Sequence, residues 1–171
     1  MKRLSEEVFS TEGPVVQLAA RDVDLLKHEA TRVPRRRMRL CAHDRVENPL
    51  HEMFIVHERD TYVRPHAHRG KAESMFVVEG STDVVVFESD GVIRETLRLG
   101  EYREGGLFYY RIAPELFHML LIRSEVLVFH EVTTGPFRRE DTLFPPWAPE
   151  ERDPAAVQAF MARLRATVDG T

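Results

Sequence analysis

A single cysteine, Cys41, leaves no internal disulfide framework to staple the fold. No apolar run approaches the roughly 18 residues that a membrane-spanning helix needs, so no membrane partner is expected. The opening MKRLSEEVFSTEG starts basic but has no apolar centre, so no secretory signal is expected there. With the lone cysteine, this points to a cytoplasmic protein. An excess of charge is also missing. Lys and Arg number 24 against 28 Asp and Glu, a formal net charge of −4. That balance offers no footprint for nucleic acid, and the run Arg35-Arg36-Arg37 is too short to supply one. Internal repeats and low-complexity segments are absent. What is present, 171 residues with 43% hydrophobic and 30% charged, suffices for one well-buried core and is short for two full domains.

Residues 1–14 read as a mobile arm ending at Gly13-Pro14. Asp22 is placed to cap a helix over 22–33, with Val23, Leu26 and Ala30 near one face and Pro34 as the stop. From Met38 the chain changes to short β-branched and aromatic runs. Strands are predicted near 38–43, 52–57, 61–67, 73–79, 83–88, 92–99, 107–112, 117–123 and 125–133. Asp90-Gly91 predicts a two-residue hairpin between two of them. Many short strands without intervening helices argue for an antiparallel sandwich or barrel. Residues 135–152 are irregular and proline-rich. Asp153-Pro154 then opens a helix whose stripe is Val157, Phe160, Met161 and Leu164. The expected organisation is a flexible arm over 1–21, a barrel with an N-terminal helix over 22–152, and a C-terminal helix over 153–171.

Of eight histidines, two stand with Glu73 in the stretch His66-Ala67-His68-Arg69-Gly70-Lys71-Ala72-Glu73. Residues two apart on a strand point to one side, so His66 and His68 can reach a common point. Arg69–Ala72 can form a turn that returns Glu73 beside them. Imidazoles with a carboxylate suit one divalent transition metal, Zn, Fe, Mn or Ni. A fourth ligand must come from elsewhere. A lone His-x-His proves little, but this set is followed by Gly80 after an apolar run.

The pattern His66, His68, Glu73, Gly80 resembles the first motif of the cupin superfamily, with Asp60 where that motif begins on glycine. Residues 106–122, GLFYYRIAPELFHMLLI, resemble the second motif. Pro114 precedes the ligand position, and Glu115 or Leu116 stands in place of a glycine. The resemblance makes His118 the fourth ligand. The segments RRRMRLCAH (35–43), NPLHEMFIV (48–56), TYVRPHAHRGKAES (61–74), TGPF (134–137) and FPPWAPEE (144–151) resemble WbuC-type cupin fold metalloproteins across about residues 22–151. This implies an all-β fold, the cupin double-stranded β-helix (jelly-roll) barrel, with short N- and C-terminal helices. It also implies a place in bacterial surface-polysaccharide (O-antigen) biosynthesis.

Around the metal, Tyr62 and Arg64 share the strand parity of His66 and His68. Arg64 can clamp a carboxylate or phosphate there, or sit on the rim if Pro65 breaks the alternation. Lys71 lies in the turn, either meeting an anionic ligand or solvated. Arg37, Arg39, Cys41 and His43 form a polar strand face that lines the pocket, a dimer seam or solvent. Tyr110 falls near His118. Met53, Ile55, Phe76, Val78 and Phe108 read as core, and His51, His57 and His130 as non-ligands. Trp147 is expected to pack the tail. The functional expectation is a mononuclear divalent-metal cupin acting on a small polar or sugar-nucleotide metabolite, as a homodimer by fold analogy. The alternatives are a non-catalytic metal-dependent sugar- or metabolite-binding protein and an Fe(II) dioxygenase. Whether the protein is an enzyme stays open at this point.

Overall fold

The computed structural model describes residues 1–170. In chain order its elements are β1 (Lys2–Ser5), β2 (Val8–Ser10), α1 (Ala20–Ala30), β3 (Arg37–Cys41), β4 (Leu50–Glu58), β5 (Ala67–His68) and β6 (Glu73–Glu79). There follow β7 (Thr82–Phe87), β8 (Ile93–Leu99), β9 (Tyr109–Ile112), β10 (Phe117–Ile122), β11 (Val126–Thr134), β12 (Thr142–Leu143) and α2 (Pro154–Asp169). The strands form a seven-stranded sheet in the order β1-β2-β3-β4-β11-β6-β9, a three-stranded sheet β10-β7-β8, and the pair β12-β5. The two larger sheets face each other as a jelly roll. They are separate hydrogen-bonded sheets, with a bridge at Leu99–Leu107 between them and one at His66–His118 linking β10 to the start of β5, so the barrel is not one continuous cylinder.

Between them lies the main core, with Met53, Ile55, Met75 and Val77 from one sheet against Val84, Val86 and Leu99 from the other. Each sheet's outer face is covered by a helix. Leu26 and Ala30 of α1 pack on Met38, Leu40, Val56 and Val128. Leu164 and Val168 of α2 pack on Val85, Phe87, Met119 and Leu121. β7 is therefore buried on both faces, which explains its unbroken apolar run Val84–Phe87. Among the described residues, no helix is long and apolar enough to cross a membrane.

Several expectations change in the folded chain. Residues 1–14 are not a free arm: β1 and β2 pair with each other, β2 runs parallel to β3, and Phe9 is buried. Helix α1 begins before Asp22. Ala19 is the cap, and Asp22, one turn in, accepts the Ala19 N–H at 2.7 Å. Residues 61–65 form no strand. Pro65 has no N–H to give a ladder, and pairing starts only where His66 exchanges both backbone bonds with His118. The Asp90-Gly91 turn is longer than two residues, since Glu88 N–H pairs with Val92 O and leaves Ser89, Asp90 and Gly91 as the loop. Gly91 takes the left-handed φ of +92° that this loop type requires.

Phe76 and Val78 face outward, 38% and 39% exposed. Because Glu73 points inward, strand alternation turns Met75 and Val77 inward with it and sends Phe76 and Val78 to the outer face. Met53 and Ile55 are core as expected, while Phe108 is half-buried edge-on to Phe76.

Candidate metal centre

Three separate sheets converge on one point. His68 comes from β5, Glu73 from the first position of β6, and His118 from β10. His66 sits on the bridge opposite His118. One ligand atom from each of the four lies within 4.8 Å of every other, so the group can hold a metal ion.

Local backbone geometry prepares two of the rings. His66 Nδ1 lies 2.9 Å from Arg64 O, and His118 Nδ1 lies 2.9 Å from Leu116 O. A carbonyl only accepts, so each Nδ1 carries the proton and each Nε2 presents a lone pair. His118 Nε2 is buried without a hydrogen-bond partner, the nearest carboxylate oxygen, Glu73 Oε1, standing off at 3.4 Å. An orphaned lone pair costs about 1–3 kcal/mol, and a cation at the centre of the cluster would satisfy it. The donor set therefore fits a borderline divalent metal. His68 Nε2 stands 3.0 Å from Glu73 Oε2, and the Tyr110 hydroxyl donates to Glu73 Oε1 at 2.9 Å.

The electrostatics follow from the same burial and proximity. Burial, reinforced by the neighbouring His118, pushes His66 down to about 4, leaving a neutral imidazole at neutral pH. For Glu73 burial pulls upward, but His118, His68 and His66 outweigh it and hold the carboxyl well below the usual range. Burial would lower His118, yet the Glu73 carboxylate beside it raises it. Burial and then the Glu73 charge keep Tyr110 protonated and so able to donate.

The turn before His118 carries a substitution that the backbone exposes. Glu115, not Leu116, occupies the glycine place, for its φ is +69° while its N–H bonds to His68 O at 2.9 Å. A side chain in left-handed backbone costs about 1–2 kcal/mol, partly offset by the entropy glycine would lose on folding. A Glu115→Gly variant is expected to be more stable by about 0.5–1 kcal/mol. Chemical denaturation measures this, and an unchanged or lower midpoint would show that the turn is unstrained.

The cluster opens into a cavity of about 810 Å³, which Arg37, Arg64 and Tyr110 also line. Arg37 is paired with Glu7 at 3.2 Å and with Glu151 at 3.5 Å. Tyr62 and Lys71 do not line it. The Tyr62 hydroxyl donates to Pro149 O and its ring packs near Phe160, because the irregular 61–65 segment carries no strand parity. Lys71 reaches Asp141 at 2.8 Å and the Pro136 carbonyl, tying the turn to the tail. His51 stacks on His43, His57 is buried edge-on to Phe129, and His130 lies against Phe54 outside the cluster. Trp147 packs the tail as expected, with its indole N–H on Ser89 O. Cys41 lines the cavity with its thiol pushed up by burial, unlike a reactive thiolate.

Sequence reasoning passed over Glu131. Backbone register aligns Cys41, Met53, Glu131, Met75 and Tyr110 in one row across the inner face of the large sheet. Thr133 next to it on that face pairs with Glu73, so the two carboxylates are diagonal neighbours. Burial and then the Glu73 charge hold Glu131 well above the usual carboxylate range. Its signal was parity, since the half-buried Glu131 continues the inward-facing series Leu127, Phe129.

A family model described as "Domain of unknown function (DUF6016)" matches residues 18–99, just under half of the chain. No curated protein matches the sequence. Among solved structures, protein SO0799 from Shewanella oneidensis superposes with a TM-score of 0.51 at 12% identity, covering 75% of this chain and 77% of that one. KdgF from Halomonas sp. gives 0.47 at 18% identity, over 61% and 82% of the two chains. Oxalate decarboxylase from Bacillus subtilis gives 0.45 at 19% identity; this chain contributes 58% of its length and spans only 24% of that enzyme's. The chain thus shares its fold with protein SO0799, a jelly roll in which the inner face carries a His/Glu cluster able to hold a metal.

Proposed function

We propose that the protein is a mononuclear divalent-metal cupin that acts on a small polar or sugar-nucleotide metabolite of bacterial surface-polysaccharide biosynthesis. His66, His68, Glu73 and His118 are its ligands. The observation that carries the metal reading is the pair of imidazoles locked by Arg64 O and Leu116 O, with the buried His118 Nε2 left without a partner. The polysaccharide context rests on the WbuC-type segments in the sequence. Zn, Fe, Mn or Ni bound there would act as a Lewis acid that orients and polarises substrate oxygens.

The chain's own residues supply the rest. Tyr110 steadies Glu73, and Met53 and Met75 flank Glu131 in its row. Glu131, whose carboxyl burial and the Glu73 charge push well above the usual range, is the candidate general acid and base for an isomerisation or epimerisation. A proton it gives to a substrate oxygen is recovered from the substrate carbon that loses one. The test incubates the Fe, Mn, Ni and Zn forms with candidate nucleotide-sugars. Turnover that falls at least about 100-fold in both His66→Ala and Glu131→Gln supports the enzyme. Tight binding without turnover in any form leaves a metal-dependent binding protein instead.

A further inference from the structure

The cavity wall contains arginines of two kinds. Arg35 and Arg37 are neutralised by Glu7 and Glu151, and Arg45 lies beside Asp44. Arg39 and Arg64 differ. Among the described residues, no carboxylate lies within ion-pair distance of either guanidinium.

Arg64 Nε is shielded from solvent and has no hydrogen-bond partner, and its Nη2 reaches one backbone carbonyl, Pro145 O, at 3.2 Å. The guanidinium lies over the Phe144 ring at 5.0 Å, and that ring lies 6.4 Å from the ring of His66. Arg64 is therefore fixed by stacking within one ring of the metal cluster, with donors of its fork unspent. Such a planar fork matches the two oxygens of a carboxylate or phosphate. Arg39 stands on the inner-face position of β3 that pairs with Ile55, beside the row that holds Glu131. It is exposed at the cavity wall.

The carboxylate of the cluster is already engaged. Glu73 is engaged by His68 and Tyr110 and would be further engaged by a bound cation. Two guanidiniums without a carboxylate at ion-pair distance on one cavity wall favour an anion there.

We propose that the ligand of this cavity carries a carboxylate or phosphate group held by Arg64 and Arg39, with its remaining oxygens directed at the His/Glu cluster. This assignment rests on the reading of that cluster as a metal centre. A volume of about 810 Å³ accommodates a sugar acid or a sugar phosphate.

Titration calorimetry on protein loaded with Zn, its metal content measured first, tests the assignment with three probes: D-glucose, D-glucuronate and glucose 6-phosphate. At least one anionic probe is expected to bind about tenfold or more tightly than glucose, and which one distinguishes carboxylate from phosphate. Arg39→Gln and Arg64→Gln are each expected to weaken it about tenfold, with metal content unchanged. Anionic and neutral probes that behave alike on metal-loaded protein, including no binding by any, would overturn the proposal. So would a preference that survives in the double variant. Wild-type protein that takes up no metal would instead overturn the metal-centre reading on which the proposal rests.

Discussion

A His66→Ala/His68→Ala double variant is expected to lose its metal. Wild-type protein purified without a nickel column should carry about one transition metal per chain, and the double variant less than about a tenth of that. The reason lies in what the two substitutions leave. Glu73 and His118 alone retain two of the four donor groups, and Glu73 loses the His68 imidazole 3.0 Å from its Oε2. A second readout avoids any dependence on recovered metal. A ligand held only by the folded state at one hundred times its Kd stabilises by about 2.7 kcal/mol. For a chain of this size that is a rise of roughly 5–10 °C in Tm. Added metal should raise the wild-type Tm by that much and leave the double variant unmoved. Equal metal content in the two proteins would rule out these histidines as ligands.

The second large effect is expected far from that centre. Asp83 in β7 is fully buried, and its carboxylate receives Arg98 Nε at 3.2 Å and Arg123 Nε at 2.7 Å. Arg123 reaches on to Asp169, the last residue of α2. Asp83→Ala strands a guanidinium between the small sheet and the helix that covers it. Removing one partner of a buried pair typically costs about 3–5 kcal/mol, and the partial exposure of Arg123 argues for the lower end, about 3 kcal/mol. Asp169→Ala removes only the exposed arm of the same network and should cost under about 1 kcal/mol. Urea denaturation of the two variants separates these cases. Equal losses would show that the helix end, rather than the buried carboxylate, carries the stability.

Much of the site was readable because its chemistry is local. His66, His68 and Glu73 are close in sequence, and the spacing of a turn was enough to place them together. His118 needed the motif resemblance, since its partner across the bridge lies more than fifty residues away. What sequence alone misplaced followed from pairing that only the folded sheet defines. Phe76 and Val78 look like core until the inward Glu73 fixes the parity of β6. The arm over 1–14 looks free because its partner strand, β3, comes after a whole helix. Arg39 and Glu131 could be noticed as polar residues in strands, but nothing in either strand says that they share a cavity. That fact depends on the register of four strands at once.

The bridge between His66 and His118 has a consequence for how this molecule breathes. One sheet contributes His68, a second Glu73 and a third His118, and the small β12-β5 pair has only two register pairs of its own. An ion in the middle would act as a keystone, tying the three sheets together at one point besides the core packed between the two larger ones. Opening the sheets by a small amount would then separate the ligands before it broke the core. Metal affinity becomes a gauge of how tightly the two halves are shut, and a ligand that draws the cavity walls together would lock the ion in.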